Sequence, residues 1–138
     1  MKHLTILGVA TAVLGAWLAS SVVADDTKTP TIKEVMDKLH RGAKSPLSQV
    51  KKELRSRRPD WVQLQKQTKD FVILGAALAK NSPPRGSKAS WSKLSLAYFN
   101  NAKTLDEAVE AENQRAANAA LGKLSHSCAA CHGAHKGK

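Results

Sequence analysis

The sequence has few aromatic residues and no extended run that alternates apolar and polar positions. Two Phe, one Tyr and three Trp occur in 138 residues, and no internal repeat or low-complexity tract is visible. Because a half-buried strand shows that alternation together with β-branched residues, its absence argues against a β-rich fold. The shortage of aromatics predicts a thin core, and it also argues against a single-stranded nucleic-acid platform, which stacks bases on aromatic rings.

Acidic residues are scarce relative to basic ones. Asp and Glu together number 11 against 22 Lys and Arg, which gives a formal net charge of +11. Such a charge speeds encounter with acidic partners in a salt-dependent way. Nucleic acid is the other common partner of a basic protein, but the export signal described next argues against it. We therefore expect partner proteins with acidic docking surfaces and no nucleic acid.

The N-terminal segment has the pattern of a secretory signal peptide. Lys2 precedes an apolar run from Leu4 to Leu18, and small residues follow up to Ala24. This pattern predicts cleavage near Ala24, which divides the chain into a signal peptide at 1–24 and one domain at 25–138. A retained membrane anchor is the alternative, although the run is near the short end for a spanning helix. We expect a periplasmic protein with no stable membrane insertion after cleavage.

Apolar residues recur at helical spacing in four segments of the remaining chain. The first begins near Thr31 and is interrupted across residues 42–46, where Ser45-Pro46 can cap and restart a helix. The second starts near Pro59-Asp60, the third follows a loop rich in proline and glycine, and the fourth begins at about Gln114. Four amphipathic segments with short connections predict an all-α fold, an antiparallel up-down-up-down four-helix bundle. The predicted core stripe of the second and third segments is Trp61, Leu64, Thr68, Phe71, Gly75, Leu78, Trp91, Leu94, Tyr98, Ala102, Leu105 and Val109.

The two cysteines belong to one pentapeptide, Cys128-Ala129-Ala130-Cys131-His132. Two thiols can add to the two vinyl groups of haem, and an adjacent imidazole can coordinate its iron. On a helix this spacing places all three groups within about one and a half turns. The motif therefore predicts one covalent haem c, bound through Cys128 and Cys131, with His132 as the proximal iron ligand at the C-terminal end of the last helix.

Three other uses of these residues remain as alternatives. A redox-active dithiol of the thioredoxin type normally follows a strand in a βαβ unit, which this chain lacks. A structural zinc site needs four ligands, and the motif supplies three. A disulfide is acceptable in an exported protein, but it gives no reason for His132. Haem attachment is the interpretation that uses the whole motif.

With this motif at the end of a fourth helix, the chain resembles the class II cytochromes c, the cytochrome c-prime family with its low-spin, methionine-ligated members. The resemblance extends over about Thr31 to Lys136. It implies that Trp91, early in the third helix, packs near the haem, and that Lys136 is the basic residue found four positions after the haem histidine. Some relatives pair through their first helices, so a homodimer is left open.

The resemblance also implies that side chains of the first helix cover the distal face of the haem. The matching position is Met36, the only methionine after the signal segment. A thioether ligand there would suit a low-spin electron carrier, which is not an enzyme. A core methionine is the alternative, and it would leave a five-coordinate cytochrome c-prime that binds nitric oxide or carbon monoxide. His40, one turn further along, would permit a bis-histidine site.

The remaining histidines and several lysines are predicted at the surface. A histidine followed by Arg41-Gly42 is typical of an exposed helix end, which is the expected environment of His40. His126 and His135 are also expected at the surface, and His135, three positions after the haem histidine, is expected to point away from the iron and to line the haem edge. The lysines expected near the haem edge, where they would dock acidic redox partners, are Lys123, Lys136 and Lys138.

Overall fold

The computed structural model describes residues 28–137, and every regular element within them is an α-helix. The predicted signal peptide and Lys138 lie outside the described residues. The helices are α1 (Ile32–His40), α2 (Pro46–Glu53), α3 (Trp61–Lys80), α4 (Lys88–Glu110) and α5 (Gln114–His135). The predicted all-α class is therefore confirmed. Among the described helices, none combines the length and the apolar character that a membrane span requires.

Each helix begins after a polar residue whose side chain accepts a hydrogen bond from a backbone N–H of the first turn. The N-cap residues are Thr31, Ser45, Asp60, Ser87 and Asn113. At Thr31 the cap is reciprocal, because the Glu34 carboxylate also accepts from the Thr31 backbone N–H at 2.7 Å. The starts predicted near Thr31, Asp60 and Gln114 are confirmed.

The predicted interruption of the first helix is present and is complete. Gly42 has a φ of +84°, a left-handed conformation that favours glycine. The chain then restarts as α2, with Ser45 as N-cap and Pro46 in the first turn. The prediction of four helices is corrected to five, since the first predicted segment forms two separate helices.

The helices pack around one apolar core. α4 lies against both α3 and α5, while α1 and α2 contact α3. Gly75 marks the close approach of α3 and α4, because an added Cβ would lie 3.1 Å from Cε1 of Tyr98. Of the predicted stripe, only Trp61 and Leu94 are half-buried instead of buried.

The connection between α4 and α5 is a tight turn built on an unusual residue. Glu112 has a φ of +51°, and it is the non-glycine residue with positive φ in the described chain. The Asn113 N–H donates to the Ala108 carbonyl at 2.9 Å, and the Glu112 N–H donates to the Val109 carbonyl at 3.0 Å. This pair of bonds is the Schellman pattern, which most often has glycine at the left-handed position. It directs the chain straight into α5.

Candidate functional site

A cavity of about 880 Å³ lies between α1, α4 and α5. Its size is in the range of about 300–1,000 Å³ that is usual for small-molecule and cofactor sites. The residues that sequence analysis assigns to the site all line it: Met36, Trp91, Cys128, Cys131, His132 and Lys136. Residues separated by almost a hundred positions are thus brought to one place by the fold.

The wall formed by α5 carries the cysteine motif in the last turns of the helix. Cys128 and Cys131 are free and half-buried, and His132 is exposed. Burial raises the pKa of both thiols. Thioredoxin-type cysteines have the opposite property, a lowered pKa at a helix N-terminus. The position and the pKa shifts therefore both argue against an activated dithiol.

The wall formed by α1 presents Ile32, Met36 and His40, spaced four residues apart along one side of the helix. Met36 is half-buried and packs against the core. Both ends of α1 are attached to the rest of the molecule. The Asn81 side-chain amide donates to the Pro30 carbonyl at 2.9 Å, and His40 is hydrogen-bonded to Tyr98. These contacts hold Met36 at the cavity.

His40 is not at an exposed helix end, and that expectation is wrong. Its Nε2 lies 3.0 Å from the Tyr98 hydroxyl oxygen, and its Nδ1 is buried without a hydrogen-bond partner in the described part of the chain. Burial lowers the pKa of His40 to about 4, with smaller contributions from the charges of His132 and Lys51. The imidazole is therefore neutral at pH 7. The packing of His40 against Phe71 of α3 and Tyr98 of α4 produces this burial, which the local sequence around Arg41 does not encode.

His135 is buried, so its predicted place at the surface is also wrong. Only 2% of the residue is exposed. Its Nδ1 donates to the Arg85 carbonyl at 2.8 Å, and its Nε2 lies 3.1 Å from the Ser90 hydroxyl oxygen. Its ring meets the Trp91 indole edge-to-face, with centroids 5.3 Å apart. A histidine three positions after the motif therefore supports the tryptophan of the cavity.

The loop between α3 and α4 explains the burial of His135, because it folds over the end of α5. The Arg85 guanidinium donates to the Gly133 carbonyl at 2.8 Å. Gly86 has a φ of +81°, and a Cβ there would lie 2.8 Å from Nδ1 of His135. Only glycine gives both the backbone conformation and the space that this contact needs.

Trp91 and Lys136 differ in how firmly they are held. Trp91 is buried, and its indole Nε1–H donates to the Leu78 carbonyl at 3.1 Å. Lys136 is exposed, and its backbone N–H donates to the His132 carbonyl at 3.0 Å. Lys123 and His126 are exposed, as predicted.

The sequence patterns gave no indication of a buried polar residue in the cavity wall, Ser95. Ser95 is buried, lines the cavity and donates from its hydroxyl to the Ser92 carbonyl at 3.3 Å. Its spacing of four from Trp91 and three from Tyr98 is the available signal, because all three then share one face of α4.

Comparison with protein-family models, with curated proteins and with solved structures yielded no match to this chain. The functional interpretation therefore depends on the motif itself and on the side chains that surround it.

Proposed function

We propose that this protein is an exported mono-haem c-type cytochrome that carries electrons. The main support for the proposal is that Met36, Cys128, Cys131 and His132 all line one cavity. Haem bound there would supply the one-electron chemistry of its iron. The protein itself would catalyse no reaction, and its basic surface would favour acidic redox partners in the periplasm.

The donor set of α5 fits covalent haem. Cys128 and Cys131 would each add sulfur and hydrogen across a vinyl group, which makes two thioether bonds. Both thiols are free, and both reach the cavity from the same helix as His132. His132 would coordinate the iron as proximal ligand, and its exposed imidazole is engaged in no side-chain hydrogen bond with a described residue.

The opposite wall offers Met36 as second axial ligand. A thioether favours reduced iron and raises the reduction potential, as a carrier requires. His40 is the alternative ligand from the same helix, but its Nε2 is already hydrogen-bonded to Tyr98 and its Nδ1 is buried. We therefore place Met36 ahead of His40. Trp91 would pack beside the haem, and Lys136 would lie at its edge.

The same proposal includes the antiparallel up-down-up-down arrangement. α3, α4 and α5 are long helices, α4 contacts both of the others, and the connections are short. α1 and α2 would together take the place of the first helix of a four-helix bundle. A second copy could then pair through this edge.

The packing of Met36 against the core supports a second candidate. If its sulfur serves only as packing, the iron would stay five-coordinate and the protein would bind nitric oxide or carbon monoxide. Met36 would then limit access to the iron by its size.

Optical spectra of the purified holoprotein test the proposal. We expect a low-spin spectrum, with a far-red band from thioether-bound iron in the oxidised form. Met36→Ala should convert it to a high-spin spectrum, and Ile32→Ala, which alters the same wall one turn earlier, should not. Cys128→Ser with Cys131→Ser should abolish covalent haem on a denaturing gel.

Each other outcome has a defined meaning. A high-spin spectrum in the unaltered protein rejects the carrier and favours the gas-binding candidate. A low-spin spectrum that survives Met36→Ala but not His40→Ala assigns the ligand to His40. Absence of covalent haem in the unaltered protein, matured in a host that attaches haem to other c-type cytochromes, rejects the proposal as a whole.

A further inference from the structure

A second, smaller cavity of about 240 Å³ lies between α5 and the end of α2, next to the part of α5 that precedes the cysteine motif. We call it the α2–α5 groove, and its lining is Lys51, Arg55, Asn118, Leu121, Gly122 and Ser125. None of these residues belongs to the haem site proposed above. The volume is below the range of about 300–1,000 Å³ for small-molecule sites, so it suits a group of only a few atoms.

Two cations of the groove have no acidic partner in the described chain. Lys51 lies in the last turn of α2 and Arg55 lies two residues after the end of that helix, and no ion pair to a described carboxylate includes either of them. The surrounding segment adds to the positive potential, because residues 38–58 hold eight Lys or Arg and a single acidic residue, Glu53. The groove therefore concentrates positive charge without internal neutralisation.

Ser125 supplies an unused donor from the opposite side. Its hydroxyl oxygen is buried and has no hydrogen-bond partner among residues 28–137. A serine within a helix commonly donates to the carbonyl four residues earlier, and this one does not. A buried hydroxyl without a partner costs free energy, so a group that accepts its proton would be stabilised here.

The α2–α5 groove has open space beside Gly122, and Asn118 holds one of its sides in place. An added Cβ on Gly122 would meet no atom within 4 Å. The Asn118 side-chain amide donates to the carbonyls of Leu54 at 3.1 Å and Gln114 at 2.9 Å, which holds the end of α2 against α5. The backbone between Lys51 and Arg55 is therefore held to α5 beside open space.

We propose that the α2–α5 groove binds a phosphate dianion, with Lys51 and Arg55 supplying charge and the Ser125 hydroxyl donating a hydrogen bond. A guanidinium can donate two parallel bonds to phosphate oxygens, and an ammonium adds a compact point charge. Lys51 belongs to α2, Arg55 to the segment after it and Ser125 to α5, so the site can offer three donors to the several oxygens of a phosphate group. The site requires no haem iron and goes beyond the electron-carrier function.

Calorimetric titration of the holoprotein with inorganic phosphate, at fixed ionic strength and neutral pH, tests this inference. We expect saturable binding of one phosphate. Lys51→Gln with Arg55→Gln should weaken it at least about tenfold, and Ser125→Ala should weaken it by about threefold or more. Gly122→Leu should block it by filling the open floor.

The matched control is Lys93→Gln with Lys103→Gln, which removes the same charge from exposed positions of α4. We expect phosphate affinity in this control to stay within about twofold of the parent. Equal weakening in the control and the groove variant would show that net charge alone attracts the anion, and it would overturn the site. Absence of saturable binding in the parent would do the same.

The same titration with acetate in place of phosphate is the second part of the experiment. Acetate that binds as tightly as phosphate would overturn the phosphate assignment and indicate a site for a single carboxylate, such as an acidic side chain of a partner. Calorimetry measures phosphate binding and does not depend on the iron ligands. A negative result for phosphate binding can therefore be distinguished from a negative result for Met36 ligation. Circular dichroism of each variant verifies that the helices are retained.

Discussion

Nε2 of His40 lies 3.0 Å from the phenol oxygen of Tyr98, so the last residue of α1 is hydrogen-bonded to the middle of α4 across 58 positions of the chain. Burial raises the pKa of Tyr98 and lowers the pKa of His40, so both groups are held neutral. Both residues line the large cavity, and their bond attaches the helix that carries Met36 to α4.

The first prediction concerns how this histidine links stability to pH. His40 stays neutral in the folded state down to about pH 4, whereas its ordinary pKa is 6.5. Between these values the unfolded chain binds more protons, so the free energy of unfolding falls as the pH is lowered through that window. We expect a loss of roughly 1–2 kcal/mol by about pH 5, allowing for partial solvent screening.

Urea unfolding at about pH 7 and about pH 5 measures this loss. His40→Gln retains a hydrogen-bonding group but cannot titrate, so its stability should change less between the two conditions. The same loss in both proteins would assign the pH dependence to other groups.

The second prediction concerns the support of Trp91 by His135. His135→Ala removes the partner of the Arg85 carbonyl and leaves a void beside the indole. We expect the free energy of unfolding to fall by about 2–4 kcal/mol, and the near-ultraviolet dichroism of Trp91 to weaken.

His126→Ala is the matched control, because His126 is exposed and its Nδ1 is hydrogen-bonded to the Gly122 carbonyl of its own helix at 2.7 Å. Its effect should stay within about 0.5 kcal/mol. Similar effects of the two substitutions would mean that burial of His135 contributes little.

The third prediction compares two glycines that share a conformation but differ in surroundings. Gly42 and Gly86 have φ values of +84° and +81°. An added Cβ meets no atom within 4 Å at Gly42, whereas at Gly86 it would lie 2.8 Å from Nδ1 of His135 and 3.1 Å from the Ala134 carbonyl oxygen. In both Gly42→Ala and Gly86→Ala, backbone strain should lower the free energy of unfolding by about 1 kcal/mol.

The free energy of unfolding of Gly86→Ala should fall by a further amount of about 1–3 kcal/mol, because the added Cβ forces the loop away from the end of α5. Thermal unfolding of the two variants measures the difference directly. Equal melting temperatures would show that the loop can shift without cost.

The fourth prediction uses the turn between α4 and α5. Glu112 occupies a left-handed position that glycine adopts without strain, so Glu112→Gly should raise the free energy of unfolding by about 0.5–1 kcal/mol. Glu107→Gly removes the same charge from the body of α4 and should lower it by about the same amount. Denaturant titration measures the free energy of unfolding of the two variants, which should change in opposite directions. A decrease in both would show that the backbone of Glu112 is not strained.

Much of the fold could be predicted from local signals. Ser45-Pro46 after Gly42 marked the interruption of the first helix, and Asp60 marked the start of α3, because caps and breaks act within a few residues. The three-and-four spacing of Leu64, Thr68 and Phe71 predicted the buried side of α3. Each of these features depends on neighbours along the chain.

The errors fall on residues whose surroundings come from distant segments. His135 is buried by the loop that contains Arg85, and His40 is half-buried against Phe71 and Tyr98. One usable signal was present, since Leu121, Leu124, Cys128, Cys131 and His135 continue a single three-and-four stripe along α5. The unpartnered hydroxyl of Ser125 had no such signal, because a missing hydrogen bond is visible only in the folded structure.

The large cavity has walls from both the first and the last helix of the described chain, with Met36 on one and Cys131 on the other. It is therefore a property of the complete domain, and no contiguous fragment that omits either helix encloses it. A proteolytic cut in the segment at 41–45 would separate α1 from the other helices while leaving the contacts among α3, α4 and α5 in one piece. Limited proteolysis would thus detach one side of the cavity before it destroys the rest of the molecule.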